Sequence, residues 1–260
     1  MEELVPEAIL DGLCTDWLGR RIVAFEAIDS TNRVAKSMAQ QGAPEGTLVI
    51  ADEQTAGRGR LGRRWLAPRG TSLLFSLIFR PAVEVRRAQG LTMICGLGVR
   101  QAIRIATGLP AQLKWPNDIL LRGRKAGGIL TELGLQAARL DYAVVGIGLN
   151  VNLDVAALPS DWNATSIQQE LGHAFSRVRL LQEALLYIEE RYRAWQAGEW
   201  PLKEWAAALD TLGQRVQLHT ADGTWQGVAE NVDEEGALLL RLDNGQLQRV
   251  FVGDITPPSA

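Results

Sequence analysis

Gln54-Thr55-Ala56-Gly57-Arg58-Gly59-Arg60-Leu61-Gly62-Arg63-Arg64-Trp65 is a short basic loop in which three glycines are interleaved with four arginines and a tryptophan closes the run. An apolar segment, Thr47-Leu48-Val49-Ile50-Ala51, feeds it directly and reads as a buried strand. A loop held at a sheet end is where α/β proteins place ligands. No Asp or Glu occurs between Gln54 and Glu84, so nothing nearby in sequence neutralises the charge. Glycine lets the backbone turn tightly and approach a ligand, and guanidinium groups grip phosphate and carboxylate as planar forks. A solvated surface turn is the competing reading. Against it stands the glycine spacing, which in regular structure costs about 0.5–1 kcal/mol per residue and needs a return. The stretch reads as a loop that wraps an anion.

Working outward, Arg21-Ile22-Val23-Ala24-Phe25 reads as a strand. Asp29-Ser30-Thr31-Asn32 opens a helix carrying Val34, Ala35, Met38 and Ala39 at helical spacing, with Asp29 or Ser30 as N-cap. Those hydroxyls either cap the helix or face a ligand. Residues 71–79 form a strong strand, and 85–107 a long helix whose Gly96 and Gly98 imply close packing against a sheet. Lys114-Trp115-Pro116-Asn117-Asp118 bends the chain, because proline cannot sit in a central strand. Asn117 and Asp118 then either cap a turn or serve a ligand, Asp118 by holding Mg²⁺ on phosphates. The chain returns as a hairpin through Arg122-Gly123-Arg124 into Lys125-Ala126-Gly127-Gly128-Ile129-Leu130. That basic cluster is either a solvated tip or is held together by a ligand anion. Val144–Asn152 is another strand, with Gly146 and Gly148 where something approaches the backbone. A short helix starts at Ala164-Thr165-Ser166, and 180–195 is a long amphipathic helix. From Gly213 the pattern changes to short alternating strands with Asp222-Gly223 and Asn244-Gly245 turns, which reads as a small β-barrel. Pro257-Pro258-Ser259-Ala260 reads as a loose tail. The expected fold is α+β: a mixed-sheet domain packed with helices over 1–210, then a barrel over 211–256.

The net charge of -3 argues against a general nucleic-acid binder, which leaves a basic footprint on the whole domain. Cys14 and Cys95, both flanked by apolar residues, are expected to be buried free thiols in a reducing compartment. Met-Glu-Glu-Leu at the start has no signal-peptide character, and no apolar run approaches the ~20 residues of a membrane helix, so a cytoplasmic protein is expected. His173 and His219 lack metal-ligand spacing, and no nucleophile elbow is present, so neither a resident metal centre nor hydrolysis is expected.

Taken together, Asp-Ser-Thr-Asn (29–32), Glu-Gln-Thr-Ala-Gly-Arg-Gly-Arg-Leu-Gly-Arg-Arg-Trp (53–65), Lys-Trp-Pro-Asn-Asp (114–118), Lys-Ala-Gly-Gly-Ile-Leu (125–130) and Gly-Ile-Gly-Leu-Asn-Val-Asn (146–152) resemble the motifs of biotin protein ligases, in family order and through nearly the whole chain. The resemblance implies a class II aminoacyl-tRNA synthetase-like catalytic domain followed by an SH3-like barrel. It implies activation of biotin by MgATP to biotinyl-5'-AMP, then transfer to one lysine of a biotin carboxyl carrier protein. By the same resemblance Ser30, Thr31, Asn32, Gln54, Arg58, Gly59, Arg60, Lys125 and Gly127 match biotin-side positions. Arg60, Arg63, Trp65, Asn117, Lys125 and Asn150 match nucleotide-side positions, with Trp162 also near the adenine. Asp118 matches a Mg²⁺ position, and Lys125, Arg58 and Arg60 match the catalytic groups. The basic loop is then expected to be a lid, open without ligand and ordered over biotin or its adenylate.

Some members of that family add an N-terminal winged helix-turn-helix; only about 20 residues precede the first expected strand here, so DNA binding is not carried over. A lipoate or octanoate ligase shares the catalytic fold and is the alternative reading; a nucleic-acid-binding module built on the basic loop is the other. An exposed sheet edge leaves a homodimer open.

Overall fold

The computed structural model describes residues 3–159 and 162–256, so the expected tail at 257–260 lies outside the described residues. After a short helix α1 (Pro6–Leu10) come β1 (Ile22–Ile28), α2 (Thr31–Gln40), β2 (Leu48–Gln54), β3 (Ser72–Phe79), α3 (Gln89–Thr107), β4 (Ala111–Lys114), β5 (Asp118–Leu121), β6 (Arg124–Gln136) and β7 (Arg139–Asn150). The seven strands form one sheet in the order β1-β2-β3-β7-β6-β5-β4. Only β1 and β2 run parallel, joined by α2; the other neighbours are antiparallel. The sheet is therefore mixed, as expected.

Helix α4 (Ile167–Leu171) is capped by Ser166, whose hydroxyl accepts from the Gln169 amide. Then follow α5 (Arg177–Gln196) and α6 (Leu202–Ala208). α3 and α5 pack together over one face of the sheet and supply the main core, with Leu97, Val99, Leu181, Leu185 and Ile188 buried against Leu73, Phe75 and Ile147. α2 covers the opposite face with Ala35, Ala39, Val49, Ile78 and Val144. Covered on both sides, β3 buries all eight of its residues. The two glycines of α3 have different neighbours. A Cβ at Gly96 would meet Leu113 and Ile129 of the sheet, as anticipated, whereas one at Gly98 would stand 2.5 Å from Ile188 of α5. Gly98 sets the helix–helix approach rather than the helix–sheet one.

The C-terminal strands β8 (Arg215–Thr220), β9 (Gly223–Val232), β10 (Leu238–Leu242), β11 (Leu247–Val250) and β12 (Asp254–Thr256) are paired antiparallel in the order β11-β10-β9-β8-β12. These are the antiparallel strands of the expected SH3-like module, and among the described residues no ladder joins β11 to β12 to close it. It is fastened to the larger sheet at the 113–115 bend. Trp115 Nε1 donates to Gly236 O at 3.1 Å, Trp115 N to Thr211 Oγ1 at 3.0 Å, and Lys114 Nζ to Ile255 O at 2.8 Å. The fully buried Trp115 side chain thereby sets how the C-terminal sheet meets the larger one. Cys95 is buried in α3, but Cys14 is exposed, because its apolar neighbours turn inward from an irregular segment and leave the thiol on the surface. No described helix is long and apolar enough to cross a membrane.

Candidate active site

One cavity of about 1060 Å³ lies where the start of α2, the end of β2, the basic loop, the 114–118 bend and the middle of β6 and β7 converge, with β8 and β12 closing one side. That volume lies at the top of the ~300–1,000 Å³ usual for small-molecule sites.

Its polar floor comes from α2. Ser30 occupies the N-cap position, but its hydroxyl makes no cap hydrogen bond. Of the two readings of the hydroxyl, capping therefore fails, and Ser30 Oγ is left at the cavity wall. Thr31 donates to Gln54 Oε1 from its amide at 2.8 Å and from its hydroxyl at 3.1 Å. That commits the Gln54 carbonyl to the protein and fixes the end of β2 against the start of α2. Asn32 is buried, and its Nδ2 donates to Leu130 O at 3.2 Å and to Glu132 Oε2 at 3.0 Å.

The basic loop folds into a small hairpin. Gly59 N donates to Arg63 O at 2.7 Å, and Trp65 N to Gly57 O at 3.0 Å. Leu61 and Gly62 take left-handed φ values of 53° and 74° at its tip; glycine adopts that region without cost, and leucine does so rarely. A Cβ at Gly57 would stand 2.7 Å from Trp65 O, which is why the hairpin needs glycine there. The loop lies closed over the cavity at two points. Arg60 Nη1 donates to Asn117 Oδ1 at 3.0 Å, and Arg63 Nη2 pairs with Asp254 Oδ2 at 2.7 Å. The neutralising carboxylate missing from the loop's sequence neighbourhood thus arrives from β12. Burial pulls the Arg60 guanidinium below its ordinary value, with Asp254 and Asp118 opposing that shift. Trp65 lies across the glycines of the facing strands: a Cβ at Gly148 would stand 2.7 Å from Trp65 Cε2. Gly128 reaches the cavity wall, whereas Gly127 is packed against β7, its Cβ position 2.8 Å from Gly148 O. Gly127, expected on the biotin side, thus packs between strands and is not among the residues lining the cavity.

Lys125 Nζ pairs with Asp118 Oδ1 at 2.6 Å across the β5–β6 hairpin. Arg122 and Arg124 do not join them at a shared anion. Both pair with the buried carboxylate of Glu170, at 3.4 and 2.7 Å. Of the two readings of that cluster, a tip open to solvent or a group held by a ligand anion, the second fails: an acid on α4 neutralises the two arginines, which stay partly solvated, and of the three only Lys125 reaches the cavity. Asn117 Nδ2 donates to Ile129 O at 2.6 Å, and Ile129 N donates to Asn117 O at 2.9 Å, which clamps the residue to β6 as the seat for Arg60. Asn150 Nδ2 donates to Thr165 O at 3.0 Å, while its buried Oδ1 and the buried Trp65 Nε1 have no protein partner. Both residues line the cavity. Burial also lowers the Lys114 ammonium, against the opposing pull of Asp118. Trp162 lines the cavity from the far side.

Sequence reading overlooked Thr211, Gln214, Val216 and Asp254, which reach the cavity from the C-terminal sheet, and Ser76 beneath it. Only Ser76 left a local signal, a hydroxyl inside an otherwise apolar strand.

Fold and cavity together define a ligase of the biotin/lipoate class: residues 24–150 match the biotin/lipoate A/B protein ligase family. Residues 211–256 match the biotin protein ligase C terminal domain. The chain is similar to the bifunctional ligase/repressor BirA of Bacillus subtilis (strain 168), 38% identical over 248 residues that span 94% of this chain and 76% of that one. It is 35% identical over 224 residues to the biotin--[acetyl-CoA-carboxylase] ligase of Paracoccus denitrificans, spanning 82% and 91% of the two chains. The solved biotin protein ligase from Aquifex aeolicus in complex with biotin and ATP matches with a TM-score of 0.77 at 29% identity, over 91% of this chain and 98% of that one. The chain belongs to the biotin protein ligase family.

Proposed function

We propose that this chain condenses biotin with ATP to biotinyl-5'-AMP and pyrophosphate, then transfers the biotinyl group to a lysine of a biotin carboxyl carrier domain. The observation that carries the reading is the single cavity shared by the Ser30-Thr31-Gln54 cradle, the arginine hairpin and Lys125. A neutral ring system that needs directional hydrogen bonds suits the cradle, and two anions suit the cationic half.

In the first step a biotin carboxylate oxygen attacks the ATP α-phosphorus, and the bond to the β-phosphate bridging oxygen breaks to release pyrophosphate. Two anions must approach each other. Lys125 sits where it can touch both, and Arg58 and Arg60 close from above; preorganised cations in a water-poor site stabilise the charge that develops. In the second step the carrier lysine, as a free amine, attacks the acyl carbon. AMP leaves with the bonding pair, and the nitrogen loses a proton. The mixed anhydride hydrolyses in water, so a hairpin lid over the cavity protects it.

We read Ser30, Thr31 and Gln54 as the biotin side, with Asn32 behind them, and Arg63, Trp65, Asn117 and Asn150 as the nucleotide side. Trp65 and Asn150 line that part of the cavity, and Asn117 acts there through its grip on Arg60. Among the described residues no group of three His, Cys, Asp or Glu side chains could hold a metal on its own. Mg²⁺ fits here as part of the MgATP substrate, needing about one carboxylate besides phosphate oxygens. Asp118 would be that carboxylate, and the ion would offset phosphate charge.

We divide the chain into a catalytic domain over 1–210 and a C-terminal module over 211–256. We read it as a cytoplasmic protein with no DNA partner, a reading that its acidic balance supports. The outer edge of β4 is taken by Asp210 N donating to Leu113 O, which leaves the edge strand β1 as the surface a homodimer would use. The test is chemical. Protein incubated with biotin and MgATP should yield biotinyl-5'-AMP by mass spectrometry and add one biotinyl group to a carrier domain's lysine. Adenylate with another acid, or none, would defeat the proposal.

A further inference from the structure

Ser76 stands at the centre of β3, fully buried, and does not line the cavity. It is the one hydroxyl within the run from Leu73 to Phe79. Its Oγ donates to Asn32 Oδ1 at 2.7 Å and lies 2.9 Å from Thr31 Oγ1. Directly across the sheet its register partner is Gly146 of β7. A Cβ at Gly146 would stand 2.0 Å from Asn32 Oδ1, so the glycine makes the space and the serine makes the bond. The two positions form one seat for the Asn32 amide.

The hydrogen-bond sense is fixed throughout. Asn32 gives its Nδ2 protons to Leu130 O and Glu132 Oε2, so its Oδ1 must accept, and Ser76 supplies the proton. Thr31 gives its hydroxyl proton to Gln54 Oε1, so its oxygen shares the one Ser76 proton with Asn32 Oδ1. One buried hydroxyl therefore orients two consecutive residues at the start of α2 and, through Thr31, the side chain at the end of β2. All three line the cavity.

We propose that Ser76, seated opposite Gly146, is a positioning residue that selects biotin by holding Thr31, Asn32 and Gln54 in their hydrogen-bonding orientation. The inference rests on the function proposed above and deepens it: Ser76 acts on the ureido-binding half of the site and not on the nucleotide half. Its removal takes that one shared proton from the buried Asn32 Oδ1 and Thr31 Oγ1, and such a loss costs more than the bond itself was worth.

The test is biotin-dependent pyrophosphate–ATP exchange on the full chain with Ser76→Ala, Ser76→Thr and Ser76→Val. The last two have the same shape and differ only in the hydroxyl. The Ala and Val variants should raise KM for biotin about tenfold, while KM for ATP and kcat stay within about twofold. The Thr variant should recover most of the biotin affinity that Val loses. The Ala/Asn32→Ala double variant should be no worse than Asn32→Ala alone, as expected when one residue acts through the other. Equal losses toward biotin and ATP, or Thr and Val behaving alike, would reduce Ser76 to packing and overturn the inference. Wild-type protein inactive with biotin would overturn the proposed function instead. If Ala lowers the melting temperature enough to prevent assay, the Thr–Val comparison decides.

Discussion

Replacing Lys125 with Met removes one charge from the centre of the cavity and keeps most of the apolar stem. Two magnitudes separate its role in chemistry from a role in folding. Its ion pair with Asp118 is short, 2.6 Å, but the Lys125 side chain is 37% exposed and that of Asp118 22%. Partly solvated pairs of this kind contribute about 0–1 kcal/mol to stability, so the melting temperature should barely move. For chemistry, a preorganised donor on developing charge is worth about 2.7–4 kcal/mol, or about 10²–10³ in kcat. The assay is single-turnover adenylate formation, with exchange and thermal unfolding measured on the same preparation. Adenylate formation should fall by that factor while unfolding stays put. Unaltered adenylate formation would refute the reasoning, as would an activity loss matched by an equal loss of fold.

Other perturbations separate the lid from the fold. Gly148→Ala places a methyl 2.7 Å from a rigid indole carbon of Trp65, so the ring must leave its seat. KM for ATP should rise by about 10- to 100-fold, with biotin affinity measured by calorimetry near wild type. Asp254→Ala releases Arg63 from the C-terminal sheet. Trypsin should then cut the arginine hairpin faster in the unliganded protein, and bound biotinyl-5'-AMP should remove the difference; equal cutting would show that the pair does not hold the lid. Gly98→Ala forces a methyl to 2.5 Å from Ile188. It should destabilise the protein by about 1–3 kcal/mol in thermal or urea unfolding, with exchange activity at 25 °C unchanged.

The site was legible where its residues are neighbours in sequence. Ser30 and Thr31 stand together at a helix start, the arginines share one loop, and Lys125 opens a glycine-bearing strand. These local patterns carry their own chemistry, and the cavity unites them. What escaped depends on partners far along the chain. Nothing around Arg122 and Arg124 announces that Glu170 will neutralise them, and nothing near Arg63 points to Asp254. Gly127 and Gly128 are alike in sequence, yet only the pleat decides which one faces the cavity. The strands of the C-terminal module were readable from alternation and turn dipeptides. Whether their two ends meet is a matter of sheet twist and coil, which alternation does not encode. Ser76 showed only as an odd hydroxyl, whose meaning comes from Asn32 and Gly146 on two other elements.

Pyrophosphate–ATP exchange with biotin, lipoate and octanoate in parallel bears on the central claim most directly, since it reads acid selection and adenylate chemistry together. Exchange that depends on biotin and is absent with the other two acids is the predicted result. Exchange driven by lipoate or octanoate but not by biotin would contradict it.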